Sequence, residues 1–320
     1  MKQPAAQSAT AERRSFKRIV KENKGFFFIL PWLIGFLIFK VYPFGSSLVY
    51  SFTDYHLFDG VSKVGLMNYD EIIHTKKIVK AFVVTMKYAF MTVPLKLVFA
   101  LFIAYILNFK LKGVNLFRTA YYIPSILGGS IAIAVLWKAV FKDDGIINML
   151  LSYMGIEGPN WLASPSHALF VICLLRVWQF GSAMVIFLAA LKGVPEDLYE
   201  AASIDGASQL GIFLKINLRA ATPATIVVFI FSLVWNWNET TLADTYFGKS
   251  LVTLPLALQR FRDTFTRMYP VVDTQSIEAQ LNQGVEMAAA VLSIIPLLLI
   301  YVLVERKLIE SIDKSGITGE

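Results

Sequence analysis

Six apolar stretches, each about as long as a bilayer is thick, constrain this 320-residue chain more than any other feature. A helix needs about 20 apolar residues to cross the hydrocarbon core. Inside lipid the backbone satisfies its polar groups only as a helix or a closed barrel. The stretches are Gly25 to Tyr50, Ala81 to Asn108, Tyr121 to Phe141, His167 to Leu191, Ala221 to Asn238 and Gly284 to Val304. They predict an all-α polytopic membrane protein with six transmembrane helices.

Composition supports the membrane assignment. The chain is 56% hydrophobic with a mean hydropathy of +0.58, well above a typical soluble domain. The net charge of +7 raises the question of nucleic acid, but the basic residues fall mainly between the apolar stretches. We therefore expect membrane lipid around the chain and no nucleic acid. The one cysteine, Cys173, lies inside an apolar stretch and excludes an internal disulfide.

Basic residues cluster on one side of the predicted bundle. They occupy the segment 1–24, the loop after the second stretch, the loop 192–220 after the fourth, and the segment 305–320. With six crossings all four segments face the same side, which the positive-inside rule makes the cytoplasm. We therefore expect cytoplasmic termini, a basic tail over 1–24, a transmembrane domain over 25–304 and a cytoplasmic tail over 305–320. The loop 239–283 then lies outside, and its length indicates either structure of its own or a mobile solvated connection.

The loop 192–220 has the local signals of two short helices separated by a glycine. Pro195 suits the first helical position, where its missing N–H is not needed. Glu196 and Asp197 then lie in the first turn, where carboxylates favour the helix dipole. Gly206 suits a left-handed stop. A second helix is predicted from Ser208 to Leu218, so the loop is expected to form a compact projection on the cytoplasmic side.

Motifs for bond chemistry are absent from the sequence. The run Gly248-Lys249-Ser250 matches only the end of a phosphate-binding loop, because Ala243 stands where that motif needs glycine. The histidines have no metal-ligand spacing, and no nucleophile elbow is present. We therefore expect no enzyme activity and no cofactor or metal in this chain.

Several stretches together resemble a known family. The run Val194 to Ala207, which contains Glu200-Ala201-Ala202, is similar to the Glu-Ala-Ala motif of ABC importer permeases, above all sugar permeases of the maltose and glycerol-phosphate type. The similarity extends to Phe117 to Ser125, Asn160 to Leu162, Phe187 to Gly193 and Pro31 to Phe36. It covers most of the chain from about residue 25 onward and implies a type I ABC importer permease fold in a bacterial cytoplasmic (inner) membrane.

The resemblance implies that the loop 192–220 couples transport to ATP hydrolysis on other chains. The coupling residues carried over from the motif are Glu200, Ala201, Ala202, Asp205 and Gly206. The implied partners are two ATP-binding subunits that carry ATP and Mg²⁺, a second homologous permease that completes a heterodimer, and an extracytoplasmic solute-binding protein.

Two features of this sequence depart from the family pattern. Leu218-Arg219 stands where the family often has Leu-Pro, and the next proline is Pro223. The helix break that enters the fifth stretch is therefore expected later. The loop 239–283 is also longer than the resemblance implies.

Charged and polar residues inside the apolar stretches are candidates for solute contact, because lipid exposure of such groups is costly. The first set is Arg176, Trp178 and Gln179, with Lys96 from the second stretch. The second set is Trp235, Asn236, Trp237 and Asn238. Aromatic rings and amides suit a sugar, and cations at both Arg176 and Lys96 indicate an acidic sugar.

Each of these sets has a structural alternative. The alternative for Arg176 is a structural pairing with an acid or a carbonyl inside the bundle, and the alternative for the tryptophans is an interfacial aromatic belt. At the level of function, the leading interpretation is a sugar or oligosaccharide permease with ATP-driven alternating access. A stand-alone secondary carrier or channel is the alternative, and a membrane-embedded enzyme is a third class.

Overall fold

A computed structural model describes residues 24–56, 60–109, 112–247, 251–261, 263 and 282–316. These residues form helices joined by turns and loops, and none of them lies in a strand. The helices of the described residues begin with α1 (Lys24–Phe36), α2 (Tyr42–Tyr50), α3 (Met67–His74), α4 (Lys76–Asn108), α5 (Val114–Leu127), α6 (Ile131–Val140), α7 (Ile146–Tyr153), α8 (Pro165–Trp178) and α9 (Gly181–Lys192). Then follow α10 (Glu196–Ile204), α11 (Gln209–Ile212), α12 (Leu218–Ala220), α13 (Thr222–Trp237), α14 (Thr241–Phe247), α15 (Leu254–Gln259) and α16 (Gln283–Gly316). Single π-helical turns at Leu37–Val41 and Phe213–Asn217 join α1 to α2 and α11 to α12.

Three helical segments are individually long and apolar enough to cross a bilayer: Gly25–Tyr50, Lys76–Asn108 and Gln283–Lys307. Three bent pairs meet the same test together: α5 with α6, α8 with α9, and the helix Gln209–Ala220 with α13. The number of spans is six if each bent pair counts as one, which agrees with the predicted all-α polytopic architecture.

Three of the spans are interrupted by bends. The chain turns by 102° between α5 and α6, where the sequence Gly128-Gly129-Ser130 leaves the helix. It turns by 44° between α8 and α9. Pro94 and Pro124 lie inside continuous helices. The break after α5 falls at small residues and the break after α8 at Gln179 and Phe180, whereas the third break, at Ala221, lies next to Pro223.

Helix α4 is the element around which the larger part of the bundle packs. One face of α4, with Ala89, Val93 and Leu97, lies in a buried cluster with α9 and α13. The adjoining face, with Val84 and Tyr88, lies in a second cluster with α6, α8, α14 and the segment around Leu251. Alanines at the buried positions of α4 allow its neighbours to approach closely, as small residues do between membrane helices.

The chain divides into two compact units. The smaller one takes the described residues up to Tyr69 and those of 278–291, and the larger takes those of 70–277 and from 292 onward. In the smaller unit the amide of Asn68, which has no exposed surface, donates to the carbonyls of Ser51 at 2.9 Å and Thr53 at 2.7 Å. Asn282 donates in turn to the side-chain oxygen of Asn68 at 3.0 Å. These bonds tie the start of α16 to the loop that follows α2.

The predicted external loop 239–283 has structure over its first part, where α14 and α15 lie. Residues 248–250, 262 and 264–281 of this loop fall outside the described residues, as does the predicted tail 1–24 up to residue 23. Helix α16 continues to Gly316, past the predicted end of the span at Val304.

Candidate functional site

The loop 192–220, called the coupling loop below, begins with a helix whose two ends are set by local sequence. Pro195 is the residue just before α10, one position earlier than predicted, and Glu196 and Asp197 occupy the first turn as expected. At the other end Gly206 has a φ of +72°, so the predicted left-handed stop is confirmed. The Ala207 N–H donates to Ala202 O at 2.9 Å and the Gly206 N–H to Ser203 O at 3.1 Å. Together these two bonds form a Schellman motif, which satisfies carbonyls that the helix end leaves free.

The second half of the coupling loop is a helix that carries the chain back to the bundle. The Ser208 side chain accepts from the Gly211 N–H at 3.1 Å and caps α11. The helical path continues through the π-helical turn and α12, and turns by 65° at Ala221 before α13. The bend lies after Leu218-Arg219 and directly before Pro223, so the break comes later than the family pattern, as predicted.

Tyr199 joins the two halves of the coupling loop. Its hydroxyl donates to Oδ1 of Asn217 at 2.6 Å, and Asn217 is only 1% exposed. Partial burial raises the pKa of Tyr199, so the phenol keeps the proton that this bond requires. On α4 the ring of Tyr105 packs on Phe213 with centroids 4.7 Å apart. The coupling loop is therefore held both to itself and to the central helix of the bundle.

The opposite side of α10 faces outward. Of the predicted coupling residues, Glu200, Ala201, Asp205 and Gly206 are exposed, and Ala202 is half-buried. The apolar side chains beside them are also exposed: Ile204 at 86%, Leu198 at 50% and Leu210 at 67%. This mixed apolar and acidic surface on a rigid loop is available for a protein partner.

A second set of candidates forms a buried polar cluster around Arg176 at the end of α8. The Arg176 guanidinium donates to the Tyr88 hydroxyl at 3.3 Å and to Oε1 of Gln179 at 3.0 Å, and it forms an ion pair with Glu239. The side chains of Arg176 and Glu239 are only 6% and 10% exposed. The structural alternative for Arg176, pairing with an acid inside the bundle, is therefore what the structure contains.

Glu239 is absent from the predicted residues, although the sequence carried a signal for it. A buried arginine needs a counter-charge, and Glu239 follows the aromatic and amide run at the end of the fifth stretch. Its Oε1 also accepts from the Leu242 N–H at 2.7 Å, at the start of α14. Glu239 thus binds the end of α8 and orients the segment that follows α13.

Gln179 lies in the break between α8 and α9 and connects it to the break between α5 and α6. Its Nε2 donates to Gly128 O at 3.0 Å, and its own carbonyl accepts from Ser125 Oγ at 3.1 Å. Ser125 Oγ in turn accepts from the Ser182 N–H at 3.0 Å. Each break therefore supplies partners for backbone groups that the other frees.

Two glycines allow this close approach. A Cβ at Gly128 would lie 2.2 Å from the Gln179 side chain, and one at Gly181 would lie 2.4 Å from Tyr121 O and 2.7 Å from Tyr122 Cα. The predicted small-residue patches are thus contact points between helices.

The remaining predicted residues do not form one surface. Trp237 is fully buried, and its indole N–H donates to Ser293 O at 3.1 Å, so it is a core residue of the bundle. Trp235 is 71% exposed on the other side of α13. Asn238 is exposed and donates to Val234 O, whereas Asn236 is 2% exposed and donates to Ser232 O. Trp178 is half-buried and packs on Trp137, with centroids 5.5 Å apart.

Lys96 is a half-buried cation on α4, two turns from Tyr88. Among the described residues, no acid lies within ion-pair distance of it. Lys87, on a different face, is exposed. Arg176, Glu239 and Lys96 together therefore carry one net positive charge.

A cavity of about 360 Å³ lies between α4 and α8, but its lining does not suit a sugar. Hydroxyl groups need polar partners at fixed positions. The lining residues are Leu95, Val98, Phe99, Phe102, Phe170, Cys173, Leu174 and Val177.

Comparisons with known proteins match this chain to one family and to several relatives. The family described as "Binding-protein-dependent transport system inner membrane component" matches residues 64–313. The "Probable ABC transporter permease protein YesP" of Bacillus subtilis (strain 168) is 46% identical over 229 residues, which cover 71% of this chain and 72% of that protein. The "Arabinooligosaccharides transport system permease protein AraP" of the same strain is 33% identical over 219 residues, 67% of this chain and 69% of that protein.

A solved structure is similar over nearly its whole length. It is the crystal structure of a bacterial ABC transporter involved in the import of the acidic polysaccharide alginate. The TM-score is 0.69 and the identity 18%, and the similarity covers 93% of this chain and 99% of that chain. At this identity the likeness concerns the fold alone.

Proposed function

This chain belongs to the family of binding-protein-dependent transport system inner membrane components, and from that premise we propose that it is the oligosaccharide-translocating permease of an importer driven by separate ATPases. It is a multi-pass protein of the inner membrane and a permease subunit of an ABC transporter. The observation that carries the proposal is the coupling loop. It presents an exposed helix, stopped by a Schellman motif and braced by Tyr199.

The coupling loop supports a role in passing movement from a partner to the membrane helices. Helix α10 offers Glu200, Ala201 and Asp205 to a cleft on an ATP-binding subunit, where the carboxylates find basic partners. The Tyr199–Asn217 bond makes α10 and the helix Gln209–Ala220 move together. The bend at Ala221 then delivers that movement to α13, which packs on α4.

The proposed complex has two ATP-binding subunits, which hold ATP and Mg²⁺, a second homologous permease and an extracytoplasmic solute-binding protein. Co-purification from membranes tests it. A stoichiometric ATP-binding chain and a second permease are the expected result. Uptake by the purified chain alone, driven by an ion gradient, would instead favour a stand-alone secondary carrier.

The proposed solute is an oligosaccharide. A relative of 33% identity is named for arabinooligosaccharides, and the half-buried indole of Trp178 suits the apolar face of a sugar ring. Identifying the sugar bound by the associated solute-binding protein tests this directly. A binding protein that captures an amino acid or a metal ion would overturn it.

An acidic sugar is the finer proposal, and Lys96 supports it better than Arg176 does. Glu239 neutralises Arg176, so Arg176 has no charge left for a solute carboxylate. Lys96 has no acidic partner among the described residues and lies half-buried within a span. A carboxylate on the solute is the counter-charge that this position lacks.

A further inference from the structure

We propose that Arg176 and Glu239 form a latch that closes the outer end of the permease, with Glu239 as the positioning residue of the segment after α13. The proposal rests on the proposed function for its direction, since it takes that segment to lie on the side of the solute-binding protein. The segment is defined by its two described pieces, 239–247 and 251–259, and is called the outer segment below.

The outer segment is seated in the bundle rather than lying over it. Its side chains Leu242, Ala243 and Tyr246 are at most 4% exposed, and Leu254 and Leu256 at most 3%. Leu242, Ala243, Tyr246 and Leu256 pack in the same buried cluster as Tyr88 of α4 and Ile172 of α8. A segment that buries this much apolar surface against membrane helices excludes water from the space it fills.

Polar contacts join the outer segment to three different helices. The Tyr246 hydroxyl donates to Ala134 O of α6 at 2.5 Å, and the Leu254 N–H donates to Thr85 Oγ1 of α4 at 2.8 Å. The third contact is the ion pair between Glu239 and Arg176 of α8. Of the three, the ion pair is the one whose stability depends strongly on whether water is present.

A buried ion pair suits a device with two states. Separating Arg176 from Glu239 in a dry interior leaves two unpaired charges and is strongly unfavourable. Separating them into a water-filled pathway costs far less, because water solvates both charges. The pair is therefore stable while the outer end is closed and dry, and it opens readily once water and solute enter.

Arg176 is also connected to two of the three breaks between bent helix pairs. It donates to Gln179, which lies in the break after α8, and Gln179 donates to Gly128 O in the break after α5. A change in either bend therefore shifts Arg176 relative to Glu239. This gives the coupling movement a physical route to the outer segment.

The first experiment measures whether the outer segment opens when the pair is broken. Leu242→Cys places a thiol at a site that is 4% exposed, and the buried Cys173 of the otherwise unchanged chain sets the background. We expect Glu239→Gln to raise labelling of Leu242→Cys by a membrane-impermeant thiol reagent by about tenfold or more in the intact complex. Glutamine keeps an oxygen for the Leu242 N–H and removes only the charge.

A charge reversal and a matched ion pair provide the controls. The double change of Arg176→Glu with Glu239→Arg restores opposite charges and should return labelling toward the starting level. Arg260→Gln breaks the partly exposed pair between Arg260, the residue after the outer segment, and Asp244 within it, and it should leave labelling unchanged. Labelling that is unchanged in Glu239→Gln, or raised equally in Arg260→Gln, would overturn the proposal.

Measurements of ATP hydrolysis distinguish a latch from a purely structural role of the Arg176–Glu239 ion pair. We expect Glu239→Gln in proteoliposomes to raise hydrolysis in the absence of the solute-binding protein and to reduce the stimulation that this protein causes. Equal loss of both activities would show a structural role alone and would reject the latch. If no ATP-binding chain co-purifies, the proposed function fails, but the labelling experiment still decides whether the pair closes this segment.

Discussion

Gly206 offers the sharpest test of the coupling loop, because a side chain added at this position strains the backbone without colliding with a neighbouring atom. Its φ is +72°, and no atom lies within 4 Å of the position that a Cβ would take. Gly206→Ala therefore adds backbone strain and no collision. An L-residue in this conformation costs about 1 kcal/mol, which corresponds to roughly a fivefold loss in the population of loops ready to dock.

A graded series follows from the same geometry. Gly206→Asn should cost less than alanine, because asparagine visits the left-handed region more readily. Gly206→Pro should abolish coupling, because proline fixes φ near −65° and removes the N–H that donates to Ser203 O at 3.1 Å. The measurements are binding-protein-stimulated ATP hydrolysis in proteoliposomes and co-purification of the ATP-binding chain, with membrane insertion unchanged.

Gly155 supplies a matched control at the end of α7. It has a φ of +74°, no atom within 4 Å of a Cβ, and the same pair of bonds, from the Gly155 N–H to Ser152 O and from the Ile156 N–H to Leu151 O. It lies in the loop 142–166, predicted to be on the other side of the membrane. Gly155→Ala should therefore carry the same strain and leave coupling intact. Equal loss in both alanine variants, or full uptake with Gly206→Pro, would refute the coupling role.

Three further outcomes follow from burial and from charge. Trp237→Ala should lower the free energy of unfolding by about 3–5 kcal/mol, measured by thermal unfolding in detergent, whereas Trp235→Ala on the exposed side should change it little. Gly181→Ala should prevent assembly of a monodisperse protein because its Cβ meets backbone atoms, while Gly129→Ala has open space and should behave as the unchanged chain. Lys96→Gln should reduce uptake of acidic but not neutral oligosaccharides in a competition assay, and identical selectivity would count against a solute carboxylate at this position.

Local structure in the coupling loop was predictable because its causes are local. The Schellman motif needs Gly206 and carbonyls within five residues of Ala207, and the cap at Ser208 needs only Gly211. The number of spans was predictable for a similar reason, since length and hydropathy are properties of each stretch alone. Two boundaries differed in this region: α10 starts one residue after the predicted position, and the second helix runs from Gln209 to Ala220 with a π-helical turn rather than from Ser208 to Leu218.

The breaks in the helices could not be predicted from local sequence in the same way. The run Gly128 to Ser130 signals close approach, but the 102° turn there also requires Gln179, 51 residues away, to satisfy Gly128 O. Proline positions were less informative, because the helices that contain Pro94 and Pro124 continue past them.

By itself the sequence determined the membrane class, the number of spans, the helix–glycine–helix form of the coupling loop and the resemblance to the permease family. These depend on hydropathy, spacing and short-range hydrogen bonds, all of which are written along the chain. Only the tertiary structure decided that Arg176 is paired and that Glu239 is its partner, and it separated Trp237 in the core from Trp235 on the surface. Those facts depend on which faces of packed helices meet. The role of a buried charge is set by the group that folding places beside it.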